Sequence, residues 1–207
     1  MPLLYFMRHA ASEANEQDIL ASRMDFPLSG KGRADAARIA GEFLERYRIQ
    51  RIISSPLSRA RQTAQPFADA SGLTVETDDL LVEQHLGRFS GLTYAQLESE
   101  PAYEHRRTER WDWVPDGGGE SYRMIAERVK GWFENGGLET GDSPVLIVTH
   151  AVTLRLIRAV LEHSLPSYPE NIARNGEIWE VDYRGPETPS VIVSHLLGEA
   201  GEQSYRA

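Results

Sequence analysis

Arg8-His9 follows directly on an apolar run, Leu3-Leu4-Tyr5-Phe6-Met7, and His150 follows a second, Val145-Leu146-Ile147-Val148-Thr149. A third run, Arg51-Ile52-Ile53-Ser54, leads into Ser55-Pro56-Leu57-Ser58-Arg59-Ala60. If the three are neighbouring strands of an open α/β sheet, their ends meet at the crevice where such sheets bind ligands. Two imidazoles and two guanidinium groups then surround one point, a combination suited to a phosphoryl group. Arginine grips phosphoryl oxygens through paired N–H donors and stays charged throughout. Neutral imidazole is a competent nucleophile near pH 7, so either His9 or His150 can carry the group as a phosphohistidine. The helix expected after His150 adds backbone N–H donors from Ala151 onward.

A phosphomonoesterase must also protonate the leaving oxygen. Glu83, in Leu81-Val82-Glu83-Gln84-His85-Leu86-Gly87, is the best carboxylate for that task. Its setting reads as apolar, and partial burial is expected to let it hold a proton near neutrality. Gly87 allows another backbone to come close. His85 is expected in a structural or rim position, and His105, His163 and His195 in surface or packing positions. No spacing resembles a metal-binding motif, so neither a metal nor any other cofactor is expected.

The elements that must position these groups alternate between strand and helix patterns. Ser29 is an expected N-cap for a helix with Ala36, Ala40, Phe43, Leu44 and Tyr47 at three- and four-residue steps. A second helix starts near Leu57, and Pro66 is expected to end or bend it early. Leu73 to Glu76 reads as a short strand. A helix with Tyr122, Ile125, Val129, Trp132 and Phe133 on one face follows the glycine turn at 117–119. Another follows His150, carrying Leu154, Ile157, Val160 and Leu161, and two last strands are expected at 178–181 and 191–194. The tail from Gly198 is polar and expected to be loose. The result is an α/β three-layer sandwich: a mostly parallel central sheet of about six strands with helices on both faces. We expect one domain over residues 1–207, with a small cap insertion at about 79–119.

Bulk properties add limits. The chain of 207 residues is 41% hydrophobic and 26% charged, ordinary for a globular protein. Its net charge of −9 disfavours nucleic-acid or anionic-membrane partners, leaving a small-molecule phosphomonoester as the expected one. Without cysteine there is neither a disulfide framework nor a thiolate metal site. The first apolar stretch is broken by Arg8, too early for a signal-peptide core or a membrane span, so a cytoplasmic protein is expected. Oligomeric state leaves no trace in the sequence.

Several segments together resemble the histidine phosphatase superfamily, with its phosphoglycerate-mutase-like fold. They are Arg8-His9-Ala10-Ala11-Ser12-Glu13-Ala14-Asn15, Pro27 to Gly32, Ser54 to Ala64, Glu83 to Gly91, Gly118-Gly119-Glu120-Ser121, and Val148 to Arg155. Each alone is weak; in this order they are specific. The resemblance implies that His9 is the nucleophile and His150 the second, charge-stabilising histidine. It also implies Arg8, Arg59 and Asn15 as phosphate ligands, Glu83 as the proton donor that returns as base, and no metal. Ser22, in the polar stretch from Ser12 to Asp25, and Ala151 complete the expected phosphate-binding set. Two departures bear on pocket shape: Ala10 stands where the family has glycine, and Ala151-Val152 where two small residues are common.

Within the superfamily, mutases carry an arginine, a tyrosine and a lysine where this chain has Gln84, Leu86 and Tyr94. The expected activity is therefore phosphomonoester hydrolysis, with a phosphoglycerate-type mutase as the alternative. A non-catalytic phospholigand-binding protein is least favoured, because His9, Glu83 and His150 are all present. By the same resemblance Arg106 and Arg107 with Arg110 fit a site for a carboxylate or second phosphate, as an arginine pair does in mutases; the preferred reading is a charged face on an exposed short helix, alternating with Glu104 and Glu109. The aromatics between 94 and 113 fit a substrate wall and a cap core equally.

Overall fold

The runs at 3–8 and 145–149 bury nearly every residue, as strands covered on both faces must. The computed structural model describes residues 3–135, 138 and 143–195. Its strands are β1 (Leu3–Arg8), β2 (Arg51–Ser54), β3 (Val75–Thr77), β4 (Val145–Thr149), β5 (Ile178–Asp182) and β6 (Val191–His195). They form one sheet in the order β3-β2-β4-β1-β5-β6. The first four run parallel, and β5 and β6 are antiparallel additions at the β1 side.

The helices are α1 (Glu13–Glu16), α2 (Gly30–Leu44), α3 (Ser58–Ser71), α4 (Tyr94–Glu98), α5 (Tyr122–Glu134) and α6 (Ala151–Leu161). Successive strand residues point to opposite faces, which divides the core in two. Tyr5, Met7, Leu146 and Val148 pack with Phe43 of α2 and Phe67 of α3. Leu4, Phe6, Val145 and Ile147 pack on the other face with Trp132 of α5 and Ile157 of α6. The chain leaving β1 thus turns to one face, and the chain leaving β4, its neighbour, turns to the other. That divergence opens a crevice at their carboxyl ends, where ligands bind in open α/β sheets.

Local sequence explains most boundaries. The Ser29 hydroxyl accepts from Gly32 N at 3.1 Å and caps α2 as expected. Gly32 itself lies so close to the segment after His9 that a Cβ there would sit 1.9 Å from the Ala11 carbonyl oxygen. A side chain at 32 would push α2 off the loop that follows His9.

Two expectations need correction. Pro66 does not end α3, which continues to Ser71 and stops at Gly72 in a left-handed conformation (φ 74°). Packing overrides the proline: Ala60, Thr63, Ala64, Phe67 and Ala68 lie buried on both sides of it. The third strand covers residues 75–77 rather than 73–76, because β2 pairs with it only through Ile52 to Ser54. The tail from Gly198 lies outside the described residues. Among those residues no helix is long and apolar enough to cross a membrane.

The stretch at 79–119 contains α4 and 3-10 turns at Asp79–Leu81, Gly87–Phe89 and Arg107–Glu109. It has its own small core of Leu86, Phe89, Leu97 and Tyr103, with Trp113 packed against it.

Candidate active site

His9 leaves the end of β1 with its backbone N–H on Thr149 O of β4 at 3.0 Å. The residue is 4% exposed. Nδ1 lies 2.7 Å from Ala10 O. A carbonyl can only accept, so Nδ1 carries the proton and Nε2 holds the lone pair. Burial, then the charges of Arg59 and Arg8, hold this imidazole well below the usual histidine range, outweighing the bond to Ala10. The ring is therefore neutral at pH 7 and suited to attack phosphorus.

The alanine after His9 is accommodated without left-handed backbone. Its side chain packs with Leu28 and Ala36, and its N–H donates to Thr63 Oγ1 at 3.0 Å. Asn175, on the loop before β5, donates from Nδ2 to His9 O at 2.9 Å. Nothing in the local sequence marks Asn175, because its role exists only once that loop folds back on β1.

His150 reaches the same point from the end of β4. The two ring centroids are 5.2 Å apart at an interplanar angle of 59°. His150 is fully buried and, unlike His9, is not on the cleft wall. Its Nε2 lies 2.7 Å from Ser55 Oγ, just beyond β2, and its Nδ1 has no partner. Burial, Arg59, His9 and Arg8 keep this ring neutral as well. Ser55 belongs to the Ser54 to Ala64 motif, but its contact with His150 has no signal in the sequence, because the two meet only when β2 and β4 pair.

Arg8 and Arg59 both line the cleft although they are 8% and 2% exposed. Arg8 is anchored by Nη1 to Ala173 O at 2.7 Å. Arg59 donates to Met24 O at 2.8 Å and to Ser22 O at 2.7 Å, which fixes its guanidinium plane. Asn15 is on the wall too. Its Oδ1 accepts from Ser12 N and Ser12 Oγ in a capping box at α1, so the orientation of its amide is set.

Ser22 also lines the cleft, but its hydroxyl serves the backbone. It donates to Gln84 O at 2.8 Å and accepts from Leu86 N at 2.9 Å. Ala151, the first residue of α6, lines the cleft beside Val152.

Glu83 faces the cleft from the segment after the first 3-10 turn. Its surroundings differ from the apolar setting expected. Oε1 accepts from Gln84 N at 2.9 Å and Thr153 N at 3.2 Å, and Oε2 from Val152 N at 3.3 Å. The α6 N-terminus thus orients the carboxylate. Glu120, from the Gly-Gly-Glu-Ser turn, holds the same segment. It takes His85 N at 3.1 Å and Arg23 Nη2 at 2.6 Å, and its carbonyl takes Gln84 Nε2 at 2.7 Å. Gly87 is required beside it, since at φ 53° a Cβ would lie 1.9 Å from Asp116 O. His85 is structural, with Nδ1 accepting from Gly87 N.

The remaining wall resolves the two open readings of the cap. Tyr94 and Tyr103 line the cleft, whereas Phe89 and Trp113 pack within the cap core against Tyr103, edge-to-face. Both uses occur. The charged-face expectation holds for Arg106, which is exposed and paired with Glu104 at 3.2 Å. It fails for Arg107 and Arg110, which turn into the cleft. The cavity measures about 220 Å³, enough for a small metabolite. Among the described residues no three His, Asp or Glu side chains are grouped to hold a metal ion.

Residues 4–194 match the sequence pattern of the histidine phosphatase superfamily, branch 1. The chain belongs to that superfamily. It is 33% identical over 166 residues to a glucosyl-3-phosphoglycerate phosphatase of Mycobacterium tuberculosis, covering 76% of this chain and 74% of the relative. A phosphoserine phosphatase 1 of Hydrogenobacter thermophilus is 33% identical over 162 residues, 78% of this chain and 76% of the relative. A probable phosphoglycerate mutase of Serratia proteamaculans is 30% identical over 98% of this chain and 94% of its own length. The solved structure of a mycobacterial glucosyl-3-phosphoglycerate phosphatase with VO3 superposes with a TM-score of 0.82 at 25% identity. It covers 97% of this chain and 100% of the other.

Proposed function

We propose that this protein hydrolyses small phosphomonoesters through a phosphohistidine at His9. The observation that carries this reading is the Nδ1 bond of His9 to Ala10 O, which leaves Nε2 unprotonated beside Arg8 and Arg59. Nε2 attacks phosphorus while the ester P–O bond breaks, and the Glu83 carboxyl gives its proton to the leaving oxygen. The two guanidinium groups and the backbone N–H of Ala151 bear the equatorial charge. Water then attacks phosphorus, the N–P bond breaks, and the Glu83 carboxylate takes the proton that water loses. Glu83 ends protonated and His9 neutral, so the cycle closes with one water consumed. His150, held by Ser55, adds polar support behind the nucleophile.

We read the chain as one unit with the segment at 79–119 as its cap, supported by the cap's contribution of Leu86, Tyr94 and Tyr103 to the cleft wall. A cytoplasmic setting, with neither nucleic acid nor membrane as partner, belongs to the same proposal and is supported by sequence alone. The second reading is a phosphomutase, favoured by the likeness to the Serratia relative over nearly the full length of both chains. Against it, Gln84 and Leu86 are buried, and Gln84 spends its side chain on Glu120 O.

The test is phosphate release from a panel of phosphomonoesters in excess EDTA, with products of 3-phosphoglycerate identified. Free phosphate supports the hydrolase. Isomerisation to 2-phosphoglycerate with little phosphate released selects the mutase, and activity that EDTA abolishes contradicts both.

A further inference from the structure

Ser22 stands in a conformation that a residue with a side chain rarely adopts. Its φ is 51°, in the left-handed region, although it is a serine and only 4% exposed. Glycine takes that backbone freely, whereas a Cβ there crowds the following carbonyl. A fold keeps such a residue where its surroundings over-determine it. Three hydrogen bonds do so here. The Ser22 carbonyl accepts from Arg59 Nη2 at 2.7 Å, and its hydroxyl donates to Gln84 O at 2.8 Å and accepts from Leu86 N at 2.9 Å.

The residue thus touches both halves of the candidate site. On one side is Arg59 of α3, one of the two guanidinium groups read as gripping the phosphoryl oxygens. On the other is the backbone just after Glu83. Gln84 receives Ser22 on its carbonyl and gives its N–H to Glu83 Oε1 at 2.9 Å, so a shift of residue 84 moves the carboxylate as well. The residues before Ser22 extend the same tie to the cap. Gly91 N donates to Leu20 O at 2.9 Å, Leu20 N to Leu92 O at 2.8 Å, and Tyr94 N to Asp18 O at 3.0 Å. Asp18, at the far end of this ladder, is left-handed too (φ 53°).

We propose that Ser22 is a positioning residue, which ties the segment carrying Glu83 to the Arg59 guanidinium so that proton donor and phosphoryl grip keep one relative placement. It acts through these two residues, because its hydroxyl and carbonyl are both spent on protein. What Glu83 and Arg59 do rests on the phosphatase reading; the mechanical tie between them does not. Glycine at 22 would relieve the backbone strain and forfeit the tie.

The experiment uses Ser22→Ala and Ser22→Gly. Both remove the hydroxyl, but alanine keeps the strained Cβ and glycine relieves it, so melting temperature should be lower in Ser22→Ala. Activity should not follow that order. The first readout is kcat/KM, which reports formation of the phosphohistidine, for glycerol 3-phosphate relative to nitrophenyl phosphate. This ratio should fall about tenfold in both variants, the scale of one hydrogen bond, because only the alkyl ester needs a well-placed proton. The second readout needs no turnover: hydrogen exchange of the Leu86 amide with and without saturating inorganic phosphate. Phosphate should slow that exchange about threefold or more when Ser22 is present, and have no such effect in the two variants.

A ratio that falls in Ser22→Ala alone reports strain rather than the hydroxyl and overturns the proposal. So does a ratio within about twofold of its starting value in both variants, or a Leu86 amide that answers phosphate equally with and without the hydroxyl. Release of phosphate from neither ester by the unsubstituted chain removes the phosphatase reading, and the amide exchange alone then decides the tie.

Discussion

The imidazoles of His9 and His150 sit 5.2 Å apart, centroid to centroid, each on the residue just beyond the end of one of two adjacent parallel strands. His9 N bonds Thr149 O directly, so the backbone ladder that joins β1 to β4 also sets the spacing of the two rings. The geometry of this candidate site is an extension of sheet register. It follows that small changes at these strand ends act on chemistry rather than only on packing.

Removal of the nucleophile is the first consequence. His9→Ala should lower kcat by about 10³-fold or more, since no other side chain on the cleft wall offers an unprotonated imidazole at the same point. His85→Ala should cost less than about tenfold, because that ring only accepts from Gly87 N. Steady-state rates with one aryl phosphate decide it, and equal losses would mean the wrong imidazole has been assigned.

The role of Glu83 separates substrates by leaving group. Glu83→Gln keeps the shape and most hydrogen bonds but has no proton to give. In kcat/KM, which reports formation of the phosphohistidine and not its hydrolysis, alkyl phosphates, whose leaving oxygen must be protonated, should fall by about 10²-fold or more, and nitrophenyl phosphate far less. A uniform loss of kcat/KM across both classes removes Glu83 from the acid role.

Both histidines are held well below the usual imidazole range, so folding favours their neutral forms. Their stabilising contribution is complete above the unfolded value of about 6.5 and is lost as pH falls below it, where the unfolded chain binds protons that the fold excludes. Melting temperature should therefore fall between pH 6.5 and 5, and fall less in a His9→Gln chain. The acid limb of kcat/KM attributable to His9 should lie below 6.5 for the same reason. A limb at or above 6.5 that His9 substitution abolishes would contradict the neutral pair.

Ser55 contacts His150 Nε2 and is itself fully buried. Ser55→Ala leaves that nitrogen with no protein partner and should cost about 1–3 kcal/mol in denaturant unfolding. It should also lower kcat about tenfold, the ~1.4 kcal/mol scale of one hydrogen bond. Unchanged turnover would confine Ser55 to packing.

How much of this was legible beforehand follows from where each signal resides. His9, Arg8, His150 and Arg59 could be read because each stands just after an apolar run, and parallel strands bring such positions to one edge. The two helical faces over the sheet were legible from periodicity, and Ser29 from its capping chemistry. Pro66 misled because local propensity yields to a buried helical face. The environment of Glu83 was misread for a related reason: its neighbours in sequence are apolar, but its neighbours in space are the amides of Val152 and Thr153, seventy residues away. Asn175, Glu120 and the inward turn of Arg110 depend on loops folding onto the strands, and no local pattern encodes those contacts.

The central claim is that the phosphoryl group rests covalently on His9 during turnover. Rapid acid-free quenching of a reaction with a ³²P-labelled aryl phosphate, whose leaving group needs little protonation, followed by peptide mapping, tests it directly. The account predicts an acid-labile, base-stable label on the peptide containing His9, lost in His9→Ala and accumulating in Glu83→Gln, where water lacks its base. Label on the His150 peptide, or full turnover with no labelled histidine under any quench, would contradict it.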